Sequence, residues 1–380
     1  MKIASTLYKD HSFCKNKNEE NLKFEEAQLV IGFGSSDLVS QEKSFSAIKN
    51  KFPNAEIALC SSAGEIYEND VLDDTISIVA LQFQSTSLKT SGINIQDFPS
   101  SFEAGKTLVQ NLPQENLKLI FVLSDGGKVN GSELVKGMNF SKKEGVLITG
   151  GLAGDGSKFE KTFVGLNQTP QTGNIIAIGF YGDKLVVSHG SFGGWESFGL
   201  ERTVTKAKEN ILFEIDHKNA LDLYKTYLGK YAEELPGSAL FFPLSIKSDD
   251  NQKPIVRTIL SIDNDNNSIT FAGDIPEGSK IRFMKANLDR LIEAASDAAS
   301  SCLKMEKERP KLAILISCVG RKLIMPHRID EEIEAISEIF GNSTTLSGFY
   351  SYGEISPLNS LKNCELQNQT MTITGINEID

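Results

Sequence analysis

The sequence predicts an α/β protein whose sheets mix parallel and antiparallel strands. A strand–helix–strand pattern occurs three times, and long stretches between the copies are rich in β-branched residues. The first copy passes from QLVIGFGSS (Gln28–Ser36), through a helical stretch near Gln41–Lys51, into AEIALCSSAGEIY (Ala55–Tyr67). The second passes from LKLIFVLSDGG (Leu117–Gly127), through SELVKGMN, into GVLITGGLAGDG (Gly145–Gly156). The third passes from KLAILISCVGRK (Lys311–Lys322), through EEIEAISEIF, into TTLSGFYSYGEIS (Thr344–Ser356). Each closes on a small-residue turn with an acid: Ser-Ala-Gly-Glu-Ile, Leu-Ala-Gly-Asp-Gly and Ser-Tyr-Gly-Glu-Ile. Units of this kind form partly parallel sheets and carry function on loops at strand carboxyl ends.

The remaining elements follow in order. TISIVALQF and LKTSGINI read as a pair of strands. TFVGL, GNIIAIGFYGD, KLVVSHGSF and GWESFGLERTVTKA read as an antiparallel meander over Thr162–Thr205, with Gly182-Asp183 as a tight turn. The glycines of GSFGGWESFG suggest bulges or a close approach of backbones. ILFEID is a strand, and Ala220–Tyr231 has helical apolar spacing with a glycine near its end. Asp263-Asn264-Asp265-Asn266-Asn267 is a hairpin turn, because Asp and Asn tolerate left-handed geometry. Ala286–Leu303 is the longest amphipathic helix, and MTITGI is the last strand. A junction near Thr205–Lys208 then divides two regions with mixed sheets, 22–205 and 206–358, with 359–380 as a C-terminal strand and tail.

A length of 380 residues suits two domains. The net charge of −11 argues against non-specific binding to nucleic acid or an anionic membrane surface. No run approaches the roughly 18 apolar residues of a membrane span, and the amino terminus lacks a signal-peptide core. The five cysteines form no CxxC pair and no zinc spacing, which suits reduced thiols in a cytoplasmic protein.

The C-terminal half gathers chemistry. Ser317, Cys318 and Arg321 follow one buried strand; Tyr350, Tyr352 and Glu354 follow another. Were the two strands neighbours, hydroxyls, an acid and a guanidinium would surround one crevice suited to a polar, zwitterionic ligand. Arg257 and Arg282 lie within apolar strands, where burial would require a partner such as a ligand carboxylate. Outward-facing positions or structural ion pairs are the competing reading for both. Ser61, Glu65 and Asp155 are secondary candidates in the other two turns. Glu65 and Glu354 follow glycines in matching positions, and repetition favours their accepting backbone N–H bonds in a repeated turn. Cys318 followed by His327 invites a cysteine-nucleophile reading, but G-x-S-x-G is missing and a small buried hydrophobe accounts better for this cysteine. Of four dispersed histidines, His189 in VVSHGSF suits an axial haem ligand least badly, and no CxxCH motif is present.

CSSAGEIYEND, LSDGG, TGGLAGDG and GNIIAIGFYGD, then ISCVGRK and SGFYSYGEISP, occur in an order and spacing that closely resemble the FIST family of intracellular signal-transduction sensors. The resemblance covers nearly the whole chain, as FIST N and FIST C regions. It implies a sensory protein, not an enzyme, that binds a small ligand, with amino acids proposed for the family. It implies signalling through histidine kinases, chemoreceptors or nucleotide cyclases. Some relatives bind haem and report nitric oxide, so that reading is an alternative; a Cys- or Ser-dependent enzyme is a third.

Overall fold

Each of the three copies folds as strand, helix and parallel strand, and each then continues in the same way. The computed structural model describes residues 1–248, 253–305, 308–358 and 363–379. The first unit contains β1 (Leu29–Gly34), α1 (Glu42–Lys51), β2 (Glu56–Ser61), β3 (Glu65–Tyr67) and β4 (Ile76–Gln82). The second contains β5 (Leu117–Ser124), α2 (Gly131–Ser141), β6 (Leu147–Leu152), β7 (Val164–Leu166) and β8 (Asn174–Tyr181). The third contains β9 (Leu312–Cys318), α3 (Ile329–Phe340), β10 (Thr345–Ser351), β11 (Gly353–Pro357) and β12 (Met371–Glu378).

The pairing repeats with the order. β1 and β2, β5 and β6, and β9 and β10 are parallel, and β4, β8 and β12 run antiparallel beside β1, β5 and β9. A strand from the preceding chain joins each sheet on that side: Lys2–Lys9 beside β4, Ser87–Asn94 beside β8, and Leu185–Phe192 beside β12. One hydrogen bond marks the same place in all three units. Ser35, Asp125 and Cys318, each just past or at the end of its unit's first strand, donate their N–H to the carbonyls of Thr75, Asn174 and Thr370, at 3.0, 2.9 and 3.1 Å. Each acceptor follows a residue in the left-handed region: Asp74, Gly173 and Gln369.

The short strands β3, β7 and β11 do not stay in their own sheets. β3 pairs with β10 of the third unit, β11 with β6 of the second, and β7 with β2 of the first. The exchange is cyclic, so each unit closes its neighbour's sheet edge and main-chain hydrogen bonds tie the three together.

Strand alternation then builds the core. Ile314 and Ile316 join Ile31, Phe121 and Phe349 in one apolar core shared by the three sheets, while Ala313 and Leu315 pack outward among α3 and Leu288–Met305. Phe33 stacks on Phe349 at 4.8 Å within the shared core. Burial on both faces explains why these strands read as continuous apolar runs.

An eight-stranded antiparallel sheet, from Glu196–Lys208 to Lys280–Lys285, is inserted between the third unit's outer strand and its helices, and has a separate apolar core. The close approach expected of GSFGGWESFG falls where the chain enters it: a Cβ on Gly194 would stand 2.2 Å from the Arg290 carbonyl oxygen.

Two expected pairings do not form. Ile76–Gln82 and Ser87–Asn94 lie in different sheets, as do Asn174–Tyr181, Leu185–Phe192 and Glu196–Lys208, so there is no meander over 162–205. Gly182-Asp183 carries the chain from one sheet to the next. Each sheet is assembled from strands distant in sequence, and adjacency along the chain misleads. The Thr205–Lys208 junction falls within Glu196–Lys208, and the sheet containing β10 takes strands from both sides of it. Of the 359–380 segment, 359–362 and 380 lie outside the described residues; the rest forms Cys364–Gln367 and β12. The 263–267 hairpin turn is as expected, with the Asp263 carboxylate accepting the N–H groups of Asp265 and Asn266.

Candidate functional site

The threefold pattern is broken at one place. Across the exchanged strands, Glu65 pairs with Phe349 and Glu354 with Gly151. These partners lie one residue before Tyr350 and Leu152, which face Ser317 and Ser124 at the ends of β9 and β5. In the first unit the same place is held by Cys60, one before Ser61 opposite Gly34, and its partner is Val164. Val164, not Asp155, is therefore the third counterpart of the two glutamates. Three residues separate Ser61 from Glu65 and Tyr350 from Glu354, but eleven separate Leu152 from Val164, so the second unit's crossover turn carries an insertion of eight within 155–163, and the shared Gly-acid pair is there a coincidence of composition.

That insertion is ordered by one carboxylate. Asp155 accepts the N–H groups of Phe159, Glu160 and Lys161 at 2.9, 2.9 and 2.7 Å, and the hydroxyl of Tyr352. Phe159, half-exposed, stacks on Tyr352 with ring centroids 4.6 Å apart. Burial, and then Asp155, hold the Tyr352 phenol well above its ordinary range.

The Phe159–Thr162 part of the insertion lines a cavity of about 670 Å³. The other walls come from Gly126–Gly131 after β5, Cys318–Gly320 at the end of β9, Tyr352, and the inserted sheet through Thr258–Leu260 and Phe271–Asp274. The cavity thus lies at carboxyl ends of core strands, beneath the inserted sheet, where α/β folds place ligands.

β9 and β10 are neighbours, so their loops converge as the sequence reading required. Of the eight primary candidates, Cys318 and Tyr352 line the cavity. Four others are engaged within the fold. Fully buried Arg321 donates to Glu332 at 2.9 Å and to the carbonyls of Gly193 and Leu291 at 2.8 and 2.7 Å. The Ser317 hydroxyl donates to the same carboxylate at 2.7 Å. Tyr350 is enclosed among the third unit's helices. Glu354 accepts from the Ser351 hydroxyl at 2.8 Å and from the Thr370 N–H and hydroxyl at 3.1 and 2.9 Å. Burial pushes its carboxyl up to about 8 against these bonds.

The two strand arginines separate. Arg282 is half-exposed and faces Glu201 at 3.5 Å on the surface of the inserted sheet, and it is not among the residues lining this cavity. Arg257 is buried. Its guanidinium donates to the carbonyls of Leu366 and Asp274 at 2.8 and 3.4 Å, behind the wall residue Gly273. Burial lowers it to about 10, opposed by nearby carboxylates.

The secondary candidates are structural in their contacts. Ser61 accepts from the Phe163 N–H at 2.9 Å, and Glu65 takes the Ser62 hydroxyl and both donors of Thr75. Burial, followed by Glu354, pushes the Cys318 thiol far up, and His327 is exposed, so the pair lacks the activated thiolate of a nucleophile. His189 is buried in the Leu185–Phe192 strand, and no histidine lines this cavity.

The sequence reading missed Glu332, Thr258 and the Gly126–Gly131 wall. The only available signals were the glycine pair of LSDGG and the extra length between Gly154 and TFVGL.

Family models of the FIST N domain and the FIST C domain match residues 28–218 and 220–357. These matches support a sensory role. The chain belongs to the FIST family. An uncharacterized protein of Methanocaldococcus jannaschii is 26% identical over 224 residues, or 55% of this chain and 41% of the relative. The matched part thus spans less than half of that relative's length. The solved structure of a cyanuric acid hydrolase from A. caulinodans aligns with 95% of this chain and 92% of its own, at 6% identity and a TM-score of 0.37. Among the described residues no helix is long and apolar enough to cross a membrane.

Proposed function

We propose that this chain senses a small polar metabolite of the amino-acid type, bound in the cavity beneath the inserted sheet, and signals through a separate protein. The observation that carries the reading is the broken symmetry. One of three equivalent crossover turns carries an insertion, and that insertion, the Gly126–Gly131 loop and the inserted sheet meet around one cavity. About 670 Å³ is within the range of small-molecule sites. Its walls mix apolar surface with main-chain donors, hydroxyls and charged side chains.

A ligand there touches both the inserted sheet and the three-unit core. It can therefore favour one position of the sheet over another, and a partner can read the difference. A histidine kinase, a chemoreceptor or a nucleotide cyclase would suit that role.

A thermal-shift screen of amino acids and related metabolites tests the reading, because a ligand that prefers the native state raises the melting temperature. The expected result is a stabilising compound whose effect is lost in Tyr352→Ala with the fold retained. A full screen without stabilisation, or stabilisation untouched by Tyr352→Ala, would sink it.

A further inference from the structure

One end of the cavity has the character of an anion site, and several independent features converge there. The first is the amino terminus of α2. Asn130 caps the Glu133 N–H at 3.1 Å, while the N–H groups of Gly131 and Ser132 precede any acceptor the helix can supply. Gly131 belongs to the cavity wall. Such a terminus favours negative charge.

The second feature is Thr258, also in the wall and 6% exposed. Its carbonyl accepts the Ala272 N–H at 2.9 Å, but its hydroxyl has no hydrogen-bond partner among the described residues. A buried hydroxyl left unpaired is costly, and a ligand oxygen at the wall would satisfy it.

The third is Arg257, adjacent in sequence and 3% exposed. Its hydrogen bonds go to main-chain carbonyls, and no salt bridge joins it to a carboxylate among the described residues. Gly273 is the cover between this charge and the cavity; a Cβ there would stand 2.8 Å from the guanidinium Nε. Glu365, Asp274 and Glu354 offset part of this thinly covered charge from a distance, and the remainder of its field reaches the cavity.

The surrounding charges set the valence. Asp274, in the same wall, is held by Lys136 at 3.1 Å and Asn130 at 3.3 Å. Glu160, Lys128 and Lys161 are exposed wall residues whose one excess positive charge is screened by solvent. A doubly charged phosphate would meet both acids, whereas a single charge matches Arg257. Apolar side chains also line the cavity, among them Leu152, Leu240, Val319 and the Tyr352 ring.

We infer that Thr258 and the amino terminus of α2, backed by the Arg257 charge, form a carboxylate subsite, and that the ligand is a small monocarboxylate whose apolar body lies toward Tyr352. This rests on the cavity being the sensory site, and it assigns the end that the ligand's charge occupies.

Calorimetric titration of the full chain tests the assignment. The probes are straight-chain and aryl monocarboxylates, the matched primary amides, and inorganic phosphate. The expected result is that a carboxylate binds and its amide binds at least about tenfold more weakly, as loss of a charge-assisted contact requires. Thr258→Val, which keeps the shape and removes the hydroxyl, should weaken the carboxylate severalfold and leave the amide unchanged; Thr258→Ser should restore the acid. An amide as tight as its acid, phosphate binding without carboxylate binding, or an unaltered Thr258→Val overturns the subsite. Uncharged compounds that bind and are lost in Tyr352→Ala would overturn the subsite while leaving the sensory reading intact.

Discussion

Glu354 in the third unit repeats Glu65 in the first, in position and in every hydrogen bond. Each carboxylate takes the hydroxyl of a serine three residues earlier, Ser62 or Ser351, and both the N–H and hydroxyl of a threonine, Thr75 or Thr370. Both acids sit on strands exchanged between sheets, so the same polar cluster fastens two of the three crossovers.

These clusters predict a pH dependence of stability. Burial raises Glu65 to about 7 and Glu354 to about 8 from the 4.5 of an ordinary glutamate, with the hydrogen bonds opposing it. Between pH 4.5 and those values the folded chain holds protons that the unfolded chain has released. Stability from these groups is therefore complete below 4.5 and lost as pH rises through 7 and then 8. Melting temperatures of wild type and Glu65→Gln/Glu354→Gln, measured from pH 5 to 8.5, should show a steeper decline for wild type. Parallel curves would show that the two acids do not titrate in this window.

The buried Arg321–Glu332 pair leads to a different prediction. Glu332 accepts from Ser317 and Arg321, and both charges are fully buried. Arg321→Met leaves a carboxylate in the core without its cation, which costs about 3–5 kcal/mol. Arg321→Met/Glu332→Leu removes both charges and should recover most of the loss. Urea unfolding of the three proteins checks this, and a double variant no better than the single one would refute it.

How far the sequence exposed all this follows from the range over which each signal acts. Local periodicity and turn chemistry located the three units, the hairpin at 263–267 and the helix of 288–305, because those depend on neighbours. The cyclic exchange of β3, β7 and β11 depends on partners a hundred or more residues away, and nothing in a strand of three to five residues announces its sheet. Asp155 shows the limit at the level of one residue. Its Gly-Asp matches Gly-Glu in composition, yet the register opposite Cys60 assigns the position to Val164. The arginines show it again: VRTIL and IRFMK look alike, but one side chain is buried and the other lies on the surface. Parity along a strand decides that, and parity is fixed by pairing.

That divergence can be measured. Arg282→Ala removes a half-exposed ion pair and should change stability by no more than about 1 kcal/mol, without altering ligand-induced stabilisation. Arg257→Met removes a buried cation with two carbonyl contacts and should abolish stabilisation by carboxylates. Equal effects of the two substitutions on binding would contradict their placement.

The last prediction concerns the loop that breaks the symmetry. Asp155 satisfies three consecutive N–H groups and the Tyr352 hydroxyl, and Tyr352 in turn supports the Phe159 ring. Phe159 itself adopts φ of 54°, a conformation costly for a residue with a Cβ, so the loop depends on these contacts. Asp155→Asn replaces an acceptor-only group with one that carries a donor, and sets that donor against N–H groups. The cost should be on the order of 1–3 kcal/mol, and it should fall on 156–163 more than on the shared core. Hydrogen exchange read by mass spectrometry would then show faster exchange in peptides covering 156–163 and unchanged protection in β5, β6 and β9. Tyr352→Phe, which removes one hydroxyl and keeps the ring stack, should have the smaller effect of the two. If Asp155→Asn left exchange in 156–163 at its wild-type rate, the carboxylate would not be what holds this wall of the cavity in place.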